Sequence, residues 1–329
     1  MVQKKNKGAL NLVGLVLFLL ALPFFFGMGG GSFAMAEVLP GQASVSPKQE
    51  KPVVGMKDVE FSKPPAASAP SVSAEELKQL KDFSYLKSKY YIIDSRTTLF
   101  PEDIPAEQAL ETDFRIKQAT GEPKILIFHT HSHEAFADSG AGLSEGIWGV
   151  GEELKRILEE TYGIGVLHDD GQYDVVNGKG QITGAYERME PQIRKILAAH
   201  PSIEVCIDLH RDGVGDNTHL VTSINGKPCA QVMFFNGLCR LNKNGTPQAI
   251  SGLENPYIKE NLAFSLQMKT AADRLYPQFS RKIYLNAYRF SLHFMPRSTL
   301  IEVGEQTNTK EEAWNAMEPL ARVLAEVLS

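Results

Sequence analysis

From Lys124 onward, short apolar runs alternate with longer segments of helical period, and this alternation restricts the possible folds more than any other feature of the chain. Lys124-Ile125-Leu126-Ile127-Phe128, led by Pro123, is a short apolar run that reads as a buried strand. Ser144 to Thr161 reads as a helix, Gly163 follows it, and Ile164 to His168 returns as a strand. Ile182 to Ala199 is helical again and Ile203 to Leu209 is a second buried strand. Cys229 to Phe235, Ile283 to Leu285 and Thr299 to Val303 are further strand candidates. A last helix starts at Thr309, where Thr309 and Glu312 form a capping box; Ala313, Met317, Leu320, Ala321, Leu324 and Leu328 then fall on one face. Strands alternating with helices predict an α/β fold, a mixed, largely parallel sheet with helices on both faces.

The N-terminal quarter of the 329 residues has a different character. Ala9 to Phe26 is nearly all apolar, broken only by Asn11, Gly14 and Pro23. At about 1.5 Å per residue it spans roughly 27 Å, enough to cross a bilayer core. Lys4, Lys5 and Lys7 precede it and no Lys or Arg follows until Lys48, which places the N-terminus in the cytoplasm and the rest outside. The rival is a cleaved signal peptide, with Ala34-Met35-Ala36 as the cleavage site. Residues 37 to about 72 are rich in Pro, Ser, Ala and Val without apolar period, so they read as a tether that reaches about 100 Å when extended. The expected organisation is a cytoplasmic segment 1–8, an anchor 9–28, a linker 29–72 and a catalytic domain 73–329, outside the membrane. A net charge of −5 gives no basic field for nucleic acid. Cys206, Cys229 and Cys239 are an odd number without metal-like spacing, and Cys206 sits in an apolar run as a small buried hydrophobe.

Three segments carry chemistry. His129-Thr130-His131-Ser132-His133-Glu134 directly follows the strand at 124–128, and the carboxyl ends of strands line the ligand crevice of open α/β sheets. Imidazole and carboxylate together suit zinc. His131 and Glu134, three apart, both reach one ion from a single turn, with His129 behind them as a supporting donor and His133 exposed. If the strand continued, His129 and His131 would point to the same side. The second segment, Asp208-Leu209-His210-Arg211-Asp212, again sets a His where a strand gives way to a loop, which makes His210 the further ligand. The third, Ser298 to Gly304, interrupts an apolar strand with Glu302, a costly residue to bury unpaired and a natural general base beside a metal.

These residues, with Asn308-Thr309 and Glu311-Glu312-Ala313, resemble the stage II sporulation protein P family over roughly residues 85–329. The resemblance implies a relative of zinc N-acetylmuramoyl-L-alanine amidases, with a fold shared with zinc carboxypeptidases. It also implies a membrane-bound wall hydrolase of endospore-forming bacteria, acting on peptidoglycan with the stage II proteins D and M during engulfment. A second activity on the cross-linking peptide is implied as well. In the wider amidase group the ligand carboxylate follows the first His by over ten residues, nearer Glu145 here, whereas the His-x-x-Glu spacing of carboxypeptidases gives Glu134. Arg289-Phe290-Ser291-Leu292 departs from the more polar family pattern. The readings that compete with the amidase are a zinc peptidase acting only within the stem peptide and a wall-binding scaffold without catalysis.

Overall fold

The alternation of short runs and helices closes into one seven-stranded sheet. The computed structural model describes residues 72–117 and 121–329, so the anchor and the linker up to residue 71 lie outside the described residues. Among the described residues no helix is long and apolar enough to cross a membrane. Val72 is already buried in the main core, so the folded domain includes it.

Helices α1 (Ala74–Leu80) and α2 (Phe83–Tyr90) lead into strand β1 (Tyr91–Ile93), and α3 (Ala106–Glu111) into β2 (Ile125–Phe128). Then come α4 (Ile147–Tyr162), β3 (Val166–His168), a hairpin of β4 (Val175–Val176) and β5 (Lys179–Gly180), α5 (Ala185–Ala199) and β6 (Val205–Asp212). A second hairpin, β7 (Val221–Ile224) with β8 (Lys227–Ala230), precedes β9 (Val232–Gly237), and a third pairs β10 (Arg240–Lys243) with β11 (Thr246–Ala249). The chain ends with α6 (Ile258–Leu275), β12 (Ile283–Asn286), β13 (Ser298–Glu305), α7 (Lys310–Asn315) and α8 (Met317–Leu328).

The sheet order is β1-β12-β9-β13-β6-β2-β3. All neighbours are parallel except β9 and β13, so two parallel blocks run in opposite directions. The sheet is therefore mixed and largely parallel, and β13, β6 and β2 deliver their carboxyl ends to one edge. Alternation along the strands sorts the side chains. Ile125, Ile127, Val205, Ile207, Leu209, Ile301 and Val303 join the main core with Val150 and Leu154 of α4, Phe264 of α6 and Leu324 of α8. Leu126, Phe128 and Cys206 face the other way, against Met189 and Ile193 of α5.

Several boundaries move. The helix expected from Ser144 starts at Ile147, after a 3-10 turn at Leu143–Glu145. The run Cys229 to Phe235 is two strands: β8 pairs with β7, a ladder that the Gln231 N–H extends to Leu220 O, and from Val232 the chain pairs with β13 instead. Strand β6 does not end at Leu209; pairing with β13 carries it to Asp212, which puts His210 inside the strand. The terminal helix divides at Ala316 into α7 and α8, with the Thr309–Glu312 capping box in place. Strand β13 carries a register shift between Glu302 and Glu305. Gly304 takes it up at φ 61, where a Cβ would lie 2.5 Å from Asn308 Oδ1 and 2.9 Å from the Ala230 Cβ. Only glycine fits that bulge.

Candidate metal centre

The turn after β2 separates three histidines that are neighbours in sequence. β2 stops at Phe128, and His129 continues the side taken by Ile125 and Ile127, buried with its Nδ1 donating to Leu209 O at 2.7 Å. The condition for His129 and His131 to share a side is not met, because the strand stops and residues 130–133 form a turn. The turn carries His131 to the α5 face, where its ring meets Tyr186 at 5.8 Å and His210 at 5.3 Å. His133 is exposed and pairs with Asp174 at 2.9 Å. Asp208 fixes the turn, accepting from Thr130 N–H at 2.9 Å and Thr130 Oγ1 at 2.7 Å.

His131, Glu134 and His210 come together, each offering a donor atom within 4.8 Å of the others. His131 Nδ1 lies 3.7 Å from Glu134 Oε1, and His210 Nδ1 lies 3.5 Å from Glu134 Oε2. Both separations exceed the usual N–H···O range of about 2.7–3.2 Å. They approach the edge of a tetrahedron whose metal–ligand bonds are about 2.0–2.1 Å, roughly 3.3 Å. Further hydrogen bonds hold the two groups from behind. His210 Nε2 bonds Asp208 Oδ1 at 2.8 Å, leaving Nδ1 to face Glu134. Glu134 Oε2 accepts the Arg211 N–H at 2.9 Å, and Glu134 O accepts the first N–H of α4, from Ile147, at 2.9 Å.

The charges favour a cation. Burial works against a charged His210, but Asp208 and Glu134 outweigh it and hold the imidazole well above its ordinary range. Burial would likewise raise Glu134, yet His210 and His131 keep it well below the usual carboxylate range. Asp208 is lowered, His210 again outweighing burial. Glu302 is the register partner of His210 on β13 and so shares its face. Burial raises its carboxyl, His210 opposes, and Glu134, Asp212 and Asp208 raise it further, to about 8. Its Oε2 is buried without a hydrogen-bond partner. Two inward carboxylates, Glu134 and Asp208, thus share His210 between them, and a third acidic group, Glu302, carries an orphaned oxygen. A divalent ion held by two imidazoles and a carboxylate fits that arrangement.

Glu145 stands apart, in the 3-10 turn before α4, bonded to Lys310 and to Gly140 N–H at 3.4 Å. Glu134→Ala is therefore expected to abolish zinc uptake, whereas Glu145→Ala is expected to leave it unchanged and to lose only the Lys310 pair and the Gly140 N–H bond. Zinc content after removal of free metal checks this, and a metal-free Glu145→Ala protein would reverse the assignment.

Asp208 is legible by the argument applied to Glu302, as a carboxylate in an apolar strand, but no residue near it in the chain marks its partner Thr130. Tyr186 and Asp174 had no signal, since each comes from an element remote in sequence. The 289–292 stretch forms a wall: Phe290, at φ 53, packs against Tyr186 at 5.6 Å and Phe235 at 4.7 Å. Its apolar character is that of a packing residue.

The family model described as stage II sporulation protein P matches residues 42–325. The stage II sporulation protein P of Bacillus subtilis (strain 168) is 24% identical over 228 residues, 64% of this chain and 53% of that protein. This chain thus spans about half the length of that relative. Among solved structures, an N-acetylmuramoyl-L-alanine amidase from Clostridium difficile 630 is 13% identical with a TM-score of 0.37, covering 63% of this chain and 94% of that one. The catalytic domain of CwlV, an N-acetylmuramoyl-L-alanine amidase from Bacillus (Paenibacillus) polymyxa var. colistinus, is 16% identical with a TM-score of 0.32, covering 62% and 95%.

Proposed function

The chain belongs to the stage II sporulation protein P family, and from that premise we propose that it is a zinc-dependent peptidoglycan hydrolase cutting the amide between N-acetylmuramic acid and L-alanine of the stem peptide. The observation that carries the reading is the meeting of His131, Glu134 and His210 beside a partnerless Glu302 oxygen. Zinc held by the three would polarise the scissile carbonyl and lower the pKa of water. In its ionised form, which a neighbouring cation would favour, Glu302 takes the proton of the attacking water at Oε2 and returns it to the departing amine. With zinc bound, His131 and His210 would serve as nitrogen donors, Asp208 orients the His210 ring through Nε2, and Arg211 N–H keeps one Glu134 oxygen in place.

The apolar run at 9–26 and the tether behind it support placement on the outer face of a membrane, with the domain reaching the wall, in engulfment during endospore formation and together with the stage II proteins D and M. A zinc peptidase within the stem peptide is the second reading, favoured by the His-x-x-Glu spacing of two of the three grouped residues. Mass spectrometry of purified wall digested by the full chain, with and without chelator, separates them. The amidase is expected to free intact stem peptides with a new N-terminal alanine. Fragments cut only inside the stem would replace that reading with the peptidase.

A further inference from the structure

Behind the sheet, away from the grouped ligands, the chain buries a set of ionisable residues that the proposed chemistry leaves unused. His129 has no solvent exposure, and its Nε2 lies 2.7 Å from Nε2 of His168 at the end of β3. The His168 side chain is fully buried, stacks on Trp148 of α4 at 4.8 Å and 22°, and bonds through Nδ1 to Glu152, whose side chain is 45% exposed. Helix α4 makes room with Gly151, where a Cβ would lie 2.8 Å from the Nε2 atoms of both histidines. Glycine weakens a helix and buried polar chains are expensive, so packing alone does not account for the arrangement.

The direction of the hydrogen bonds is fixed at one end. The Leu209 carbonyl can only accept, so His129 Nδ1–H donates to it and His129 Nε2 accepts from His168 Nε2–H. A single proton then lies between His168 Nδ1 and Glu152. The place where the chain ends matters. Backbone pairing of β2 with β6 stops at Phe128 and Asp208. One residue further, side chains replace the ladder: the His129 ring takes Leu209 O while the Asp208 carboxylate takes Thr130 N–H. The peptide gripped by His129 is the one that leads into His210.

We infer that His129, His168 and Glu152 are positioning residues for the metal centre, a hydrogen-bonded strut on the far face of the sheet that fixes the Leu209–His210 peptide and so sets the His210 imidazole opposite Glu134. The inference rests on the metal reading above. Its test is the zinc Kd of the full chain, from competition with a chromophoric chelator, beside the melting temperature of the metal-free protein. His168→Phe keeps an aromatic ring against Trp148 and removes the donor, whereas His168→Gln restores an N–H at the Nε2 position. His168→Phe is expected to raise the zinc Kd about 10–100-fold and His168→Gln to stay within about 3-fold of wild type, the range seen when ligand-orienting partners are lost or kept. Equal Kd in all three proteins, or equal losses in both variants that track melting temperature, would overturn the strut. Should His168→Phe fail to fold, Glu152→Gln at the half-exposed end serves: a rise of about 3–10-fold at unchanged melting supports the strut and an unchanged Kd overturns it. A wild-type chain that takes up no zinc would remove the metal reading and this inference together.

Discussion

Glu302→Gln is expected to retain wild-type zinc content while turnover on wall fragments falls by about 10²–10⁴-fold, the usual worth of a positioned acid–base group. Glutamine keeps the volume and a capacity for hydrogen bonding but accepts no proton from water. The residue lies outside the three-donor group, so metal uptake is expected to survive. A second signature comes from the raised carboxyl. Its folded pKa of about 8 lies above the ordinary value of 4.5 for a glutamate, so the metal-free folded state holds a proton that the unfolded chain releases. Between those values stability declines as pH rises, because deprotonation favours the unfolded chain. Metal-free Glu302→Gln escapes that decline. It is expected to melt above metal-free wild type at pH 8, with the gap closing by about pH 4 as the wild-type carboxyl takes its proton in both states. Zinc content and rate measured on one sample decide the role: loss of both would make Glu302 a ligand, and near-normal turnover would place the base elsewhere.

His210→Ala and His131→Ala are both expected to abolish zinc retention and hydrolysis, yet to differ in stability. His210 is buried between Asp208 and Glu134, and removing it leaves two inward carboxylates without their shared counter-charge. Breaking a buried pair in this way costs about 3–5 kcal/mol. The His131 side chain is 22% exposed and has one carboxylate neighbour, so its loss removes a metal donor with little strain on the fold. Thermal melts of the metal-free proteins should therefore show a large drop for His210→Ala and a small one for His131→Ala. Stoichiometric zinc with normal turnover in either would end the ligand assignment.

Local patterns in the sequence carried the helices and strands, because period and capping are written into contiguous residues. The Thr309–Glu312 box and the apolar face from Ala313 to Leu328 needed no tertiary information. Donor types were legible for the same reason, since His131, Glu134 and His210 belong to short motifs, although His210 lies within β6 and not at the strand end expected of it. Choosing between Glu134 and Glu145 was different: both are acidic residues in a loop, and their distance from His210 depends on how the loop folds back. The structure pairs Glu145 with Lys310, a residue 165 positions away.

The side on which His129 falls depends on whether β2 continues past Phe128, and that depends on Asp208 of another strand capturing Thr130. Residue order alone therefore determined the elements, the donor chemistry and the family, all of which depend on contiguous segments. Tertiary structure decided which donors meet, which oxygen of Glu302 is left without a partner, and that a second histidine pair lies behind the sheet. Those outcomes follow from strand register and from hydrogen bonds between residues tens of positions apart, where a shift of one residue sends every side chain to the opposite face.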